Sequence, residues 1–130
     1  PPSMLERVKK LEASGVIREY VAVLDPEPLD KAIMAIVHIS MREHSAKTLQ
    51  TMKDRLSALE EVLAIWYCAG DEDFILKVVV SDMREYERFI SGKVANVPGI
   101  GKIKTSFVLD AVKETTRLPL DAAATAGADD

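Results

Sequence analysis

Residues 62–80 read VLAIWYCAGDEDFILKVVV, two apolar runs that meet at a turn carrying more carboxylates than a turn needs. Val62 to Ala69 is apolar apart from its aromatic tips, and Phe74 to Val80 is apolar except for Lys77, a pattern that predicts a buried antiparallel hairpin. Gly70 supplies the unusual backbone torsion of the turn. Asp71 and Asp73 have two readings: they stabilise the turn through local backbone hydrogen bonds, or they are the carboxylates of a small-molecule site. The turn is therefore the candidate site of the chain.

Working outward, strands and helices alternate in a short, regular order. Ile33 to Met41 reads as a strand. Ser45 opens a helix in which Ala46, Leu49, Met52, Leu56 and Leu59 recur every three or four residues, one apolar stripe for packing on a sheet. The hairpin follows. Asp82 and Glu85 then form a capping box for a second helix, whose stripe is Met83, Tyr86, Phe89, Ile90 and Val94. Asn96-Val97-Pro98-Gly99 breaks that helix, and Ile103, Thr105, Phe107 and Leu109 alternate with Lys104, Ser106 and Asp110 as a last strand with one wet face. The order is βαββαβ, which with right-handed crossovers gives an α+β, ferredoxin-like fold: an antiparallel four-stranded sheet with both helices on one face. Apolar residues of the other face, Met34 and Ile36 or their alternates, then need a partner, and a homodimer supplies it most simply.

The front of the chain is punctuated as clearly. Ser3 and Glu6 form a capping box, Leu5, Val8 and Leu11 recur at helical spacing, and Gly15 ends a helix expected from Met4 to about Ser14. Arg7, Lys9 and Lys10 on its other face either meet phosphates or are simply solvated. Val16 to Leu24 is β-branched enough for a strand, and Asp25-Pro26-Glu27-Pro28 stops it as a linker.

Composition bounds the function. With 130 residues, 48% hydrophobic and 29% charged, the chain suits one soluble domain that buries about two-thirds of its unfolded surface. A net charge of -4 gives no overall attraction to phosphate or acidic membrane, so nucleic-acid binding needs a local patch or a missing part. The single cysteine, Cys68, excludes an internal disulfide framework and reads as a small hydrophobe within a strand. No stretch is long and apolar enough for a membrane helix and no signal pattern opens the chain, so a cytoplasmic protein is expected. The opening Pro1-Pro2-Ser3, without an initiator methionine, looks like that of a fragment or processed form.

Enzyme chemistry finds little to work with. His38 lies within a strand and His44 just before a helix cap, neither beside an obvious acid or nucleophile in the sequence. Asp71, Glu72 and Asp73 lack further oxygen ligands at suitable spacing for a hard cation, and no phosphate-cradling glycine loop or Ser-His-acid pattern occurs. No cofactor, metal or catalytic residue is expected. Trp66, between apolar neighbours, reads as core or interface packing.

Several segments together resemble the leucine-responsive regulators of the Lrp/AsnC family: SMLERVKKLEASGVIREYVAVLDPE at the front, YCAGDEDFILKVVV in the hairpin, DMREYERF in the second helix, VPGIGKIKTSFVLDAVK near the end and the closing KETTRLPL. The resemblance implies a helix-turn-helix domain followed by a βαββαβ effector (RAM) domain, dimers formed through the sheets, further assembly into tetramers or octamers, and amino acids bound between dimers. It implies that residues 1–15 are the remnant of the helix-turn-helix, its recognition helix, with Ser3, Arg7 and Lys10 at DNA-contacting positions. Residues 16–30 are then a linker strand, 31–120 the effector-binding and oligomerisation domain, and 121–130, alanine-rich and acidic, a flexible tail. The helices that would precede the recognition helix are absent from the front, so double-stranded DNA binding belongs to the full-length protein.

Carried onto the hairpin, the resemblance makes Gly70, Asp71 and Asp73 the effector loop, with Tyr67 and Ala69 at the strand end and Thr105 nearby on the last strand. A zwitterion needs a carboxylate for its ammonium and N–H donors for its own carboxylate, and a glycine turn exposes such donors. Phe74 stands where the family often has tyrosine. The expected function is the effector-binding and oligomerisation part of an amino-acid-responsive DNA-binding transcriptional regulator. The alternative is a stand-alone ferredoxin-like metabolite binder or small enzyme whose basic first helix has nothing to do with DNA.

Overall fold

Alternation of apolar and polar residues at period two forms the sheet. In the computed structural model, which describes residues 3–121, the chain divides into two units: Asp25–Ala111, and a second made of Pro1–Leu24 with Val112–Asp130. Residues 122–130 of the expected tail lie outside the described residues.

The larger unit contains β1 (Ile33–Met41), α2 (Ala46–Ser57), β2 (Val62–Tyr67), β3 (Phe74–Val80), α3 (Met83–Arg88) and β4 (Ile100–Phe107), which follow a first helix, α1 (Met4–Ala13), of the other unit. The sheet order is β2-β3-β1-β4, with all neighbours antiparallel. This is the expected ferredoxin-like α+β architecture. β1 pairs Val37 with Leu76 on one side and with Thr105 on the other. Ala35, Val37, Ile39 and Met41 of β1 and Phe74, Leu76, Val78 and Val80 of β3 are buried, with Met52 and Leu56 of α2 and Tyr86 and Phe89 packed over them. Each large apolar side chain so buried contributes about 1.5–3 kcal/mol. The intervening residues Met34, Ile36, Ile75 and Val79 are only half-buried, and this sheet face is not the one the helical stripes cover.

Caps hold the helices as the sequence predicts. Ser45 Oγ accepts the Thr48 N–H, and Asp82 Oδ1 accepts that of Glu85 at 2.7 Å. The Glu85 carboxylate, expected to close a capping box with Asp82, instead accepts the N–H and hydroxyl of Ser81 and pairs with Lys31 at 3.4 Å. These Ser81 hydrogen bonds, side chain first, hold the Glu85 carboxyl down at about 2. Beyond Arg88 the helix continues as a wider π turn, Phe89–Lys93, and a short 3-10 turn, Val94–Asn96. Lys93 on the π turn reaches Glu61 at 2.5 Å, and that hydrogen bond raises the Lys93 pKa. Gly99 starts the return to β4 with φ +90°, where an added Cβ would overlap Thr48 Cγ2 and lie 3.2 Å from Met52 Sδ. Only glycine fits both the torsion and the close approach to α2.

Three further expectations change. The hairpin is not buried on both arms: β2 is an edge strand with Leu63, Trp66 and Tyr67 exposed, because β3 alone has strands on both sides. The core reading of Trp66 therefore falls. Leu109, expected on the last strand, is wholly exposed, since β4 ends at Phe107 and only Val108 N–H still bonds back, to Met34 O.

The third lies in the smaller unit. There Val16 to Leu24, expected as a strand, belongs to no ladder: a strand needs a hydrogen-bonding neighbour, and none of the described residues supplies it. Its side chains are exposed except Ile17, whose N–H bonds Leu11 O at 3.1 Å. α1 itself forms as expected, with Ser3 Oγ accepting the Glu6 N–H and Gly15 beyond its C-cap at φ +85°.

Candidate functional site

The hairpin turn is closed by Cys68 N–H donating to Asp73 O at 2.8 Å, which leaves Ala69 to Glu72 as the loop itself. Gly70 takes φ +151° in open space, with no atom within 4 Å of where a Cβ would stand. Tyr67, at the end of β2, packs on Phe74 with ring centroids 5.3 Å apart and receives Lys53 Nζ 5.1 Å from its own centroid. Ala69, Gly70 and Asp71 are exposed.

The three carboxylates of the turn have three different environments. Asp73 is turned inward: its Oδ2 accepts the backbone N–H of Met41 at 2.7 Å, and its Oδ1 lies 3.9 Å from His44 Nδ1. It fastens the turn to the end of β1 and to the loop that leads into α2. Glu72 reaches past β1 to Lys104 of β4 at 3.1 Å. Asp71 alone among the three has no side-chain hydrogen bond or ion pair among the described residues, so its charge is free for a ligand.

Tyr67, Ala69, Gly70, Asp71 and Asp73 thus come together at one end of the hairpin, while Thr105 does not join them. Thr105, on β4, pairs with Val37 of β1, and β1 separates it from β3. Its hydroxyl hydrogen-bonds that of Tyr86, in a groove of about 730 Å³ between α3 and β4 lined by Met83, Tyr86, Ile90, Ile103, Thr105 and Phe107. Tyr86 meets Phe107 edge-on at 5.0 Å, and burial pushes its phenol pKa up against the opposing pull of the Thr105 hydrogen bond.

Sequence reasoning missed His44 and Tyr86. In the sequence His44 has no acid neighbour, yet Asp73, 29 positions later in the chain, is brought to it by the β1–β3 pairing. No local signal marks such a contact. Tyr86 belongs to a core stripe, and nothing in a helical stripe says which member also carries a hydroxyl into a groove.

On α1, Ser3, Arg7 and Lys10 follow one another at helical spacing. Ser3 Oγ is engaged in the cap, Arg7 is half-buried and Lys10 is exposed in the last turn.

Comparison with known proteins accords with this architecture. Residues 34–118 match the family model described as the Lrp/AsnC ligand binding domain. The DNA-binding transcriptional activator DecR of Escherichia coli is 34% identical over 116 residues, covering 89% of this chain and 76% of DecR. The leucine-responsive regulatory protein of Haemophilus influenzae is 37% identical over 120 residues, covering 92% of this chain and 72% of that protein. Among solved structures, a transcriptional regulator of Neisseria meningitidis in complex with L-Met superposes with a TM-score of 0.86 at 29% identity, covering 92% of this chain and 77% of the other. An AsnC family transcriptional regulator of Agrobacterium tumefaciens gives 0.81 at 33% identity, with 88% and 74% covered. These relatives are regulators rather than enzymes. With a family match over more than half its length, and with the βαββαβ order that the resemblance implies, the chain belongs to the Lrp/AsnC family of transcriptional regulators and carries its ligand-binding domain.

Proposed function

We propose that this chain is the effector-sensing and assembly part of an amino-acid-responsive DNA-binding regulator, and that the turn from Tyr67 to Asp73 is its effector loop. The observation that carries this reading is the division of labour among the carboxylates: Asp73 and Glu72 are engaged within the chain, and Asp71, beside a glycine turn, has no partner among the described residues. Asp71 takes the ammonium of a free amino acid, and the N–H groups exposed around Gly70 take its carboxylate. Asp73 acts one step back, by holding the turn in place. Thr105 reaches the ligand only from another subunit, in keeping with an effector held between dimers. The Neisseria relative bound to L-Met supports an amino acid as the ligand class.

The same reading assigns residues 1–15 to the recognition helix, 16–30 to the linker, 31–120 to sensing and oligomerisation and 121–130 to the tail. DNA contact through Ser3, Arg7 and Lys10 belongs to the full-length protein, which works in the cytoplasm and catalyses no reaction. The sheet face with Met34, Ile36, Ile75, Val79 and the exposed Trp66 pairs with a second copy, and dimers assemble further. Effector binding shifts the balance among these assemblies and so the DNA-competent population.

The test is a thermal-shift screen against the twenty amino acids, followed by titration calorimetry on Asp71→Ala. A ligand about 100-fold above its dissociation constant adds about 2.7 kcal/mol of stability, a readily measured shift. A selective shift that Asp71→Ala abolishes supports the site; an unchanged affinity in that variant removes Asp71 from it.

A further inference from the structure

Period two along β1 sends Ala35, Val37 and Ile39 into the core and Met34, Ile36 and His38 to the opposite sheet face, which the helices leave open. β1 is an inner strand, so His38 stands within that face and not at its rim. It is half-buried, and among the described residues no side-chain hydrogen bond or ion pair engages its imidazole. Its partners in the register are Ile75 of β3 and Lys104 of β4, whose side chains leave the sheet on the same side. By the same alternation Lys102 of β4 and Lys77 of β3 lie diagonally from it, Lys77 with a partner of its own. β2 brings Ala64 and Trp66 to this face and no charge. Glu72 reaches across from the turn, but its carboxylate is already taken by Lys104 at 3.1 Å. The immediate cross-strand neighbours of the imidazole are thus one apolar side chain and one cation.

We propose that His38 makes assembly pH-sensitive: two copies pair through this sheet face only while both imidazoles are neutral, so the pair loosens as the medium turns acid. The proposal rests on the pairing of sheet faces inferred above and adds its regulation. When two such faces meet, each copy carries one His38 and one Lys104 into a layer that loses water. A neutral imidazole is accepted there, because it is largely apolar and its one N–H needs a single acceptor. A protonated imidazole instead places a second cation directly opposite Lys104, with Glu72 already committed to that lysine. Burying a charge without a counter-charge, and beside a like charge, opposes association. The sign follows from proton binding: the separated copies hold more protons than the pair, so pairing releases protons and strengthens as pH rises. Histidine is the side chain that ordinarily changes charge between about pH 8 and pH 5, and the chain has only one other, His44.

Sedimentation equilibrium of the chain at about pH 7.5 and about pH 5.5, at one ionic strength, tests the inference. The dissociation constant of the wild-type pair should rise at least about tenfold on acidification. His38→Gln, polar but neutral throughout, should remove that rise. His38→Phe keeps a ring of similar size and should remove it as well, and denaturant unfolding verifies that both variants fold. His44→Gln should keep the wild-type response, since that imidazole is 67% exposed and lies beside Asp73 at the turn. A wild-type pair indifferent to pH, an undiminished response in both His38 variants, or a response lost in His44→Gln instead overturns the role of His38 and leaves the pairing of sheet faces standing. Folded His38 variants that pair at neither pH overturn it too, because a neutral side chain at that position must suffice. A wild-type chain that is monomeric at both pH values removes the sheet pairing itself, and this inference with it.

Discussion

Asp73→Ala separates a positioning carboxylate from a ligand-binding one, and its consequence can be worked from the structure. The Asp73 side chain is 19% exposed and accepts the Met41 N–H at 2.7 Å, a charge-assisted bond. Met41 is itself only 7% exposed, so removing the carboxylate strands a desolvated amide at the end of β1. A buried donor left without its partner costs about 1–3 kcal/mol. The approach of His44 at 3.9 Å adds little, because that imidazole is 67% exposed. A loss of about 2 kcal/mol follows. For a small domain with a urea m-value of about 1–3 kcal/mol/M, the midpoint should fall by roughly 1 M with m unchanged. Asp71→Ala, with no partner to lose, should stay within about 0.5 kcal/mol of wild type. Asp73→Asn keeps an acceptor oxygen and should recover about half the loss, neutral hydrogen bonds being about half as strong as charged ones. All variants are unfolded at one protein concentration, since assembly contributes to apparent stability. Equal midpoints for Asp73→Ala and Asp71→Ala would refute the assignment of Asp73 as the latch of the turn.

Other outcomes follow from single contacts. Gly99→Ala should destabilise by about 2–4 kcal/mol, from the left-handed torsion and overpacking against Thr48 together, and Thr48→Ser, which deletes the offending methyl, should restore part of it in a double-mutant cycle read by urea unfolding. Gly70→Ala lacks the steric part and should cost less than Gly99→Ala in the same assay. The Glu85 carboxyl is held at about 2 against an ordinary 4.5, so its contribution is complete above about pH 5 and is lost as pH falls from there toward 2. Glu85→Gln should accordingly be less stable than wild type near neutral pH, with the gap closing on acidification; a gap independent of pH would remove the Ser81 hydrogen bonds as its cause. Trp66→Glu puts a charge on the sheet face proposed to pair with a second copy, and sedimentation should show a shift toward monomer, whereas an unchanged oligomer would place the interface elsewhere.

Much of the fold was legible because its signals are local. Ser3, Ser45 and Asp82 cap their helices where the sequence puts them, since a cap is a bond across three residues. The period-two runs of Ile33–Met41 and Phe74–Val80 are strands at those bounds, and Gly70 and Gly99 mark turns that need positive φ. The glycine turn and its carboxylates, hence the candidate site, were visible for the same reason. What tertiary structure alone decided is which residue meets which across the sheet. Period two does not say that β2 is an edge strand, so the exposure of Trp66 and Tyr67 waited for the strand order. That order also put β1 between Thr105 and the hairpin and gave Thr105 to Tyr86 instead. The roles of three adjacent acids, alike along the chain, diverged only when β1 brought Met41 and His44 to Asp73, β4 brought Lys104 to Glu72, and none of the described residues came to Asp71. Sequence specifies local torsion and amphipathic period because both arise within a few residues; the partner of a side chain is set by pairing between strands tens of residues apart, which no local pattern encodes.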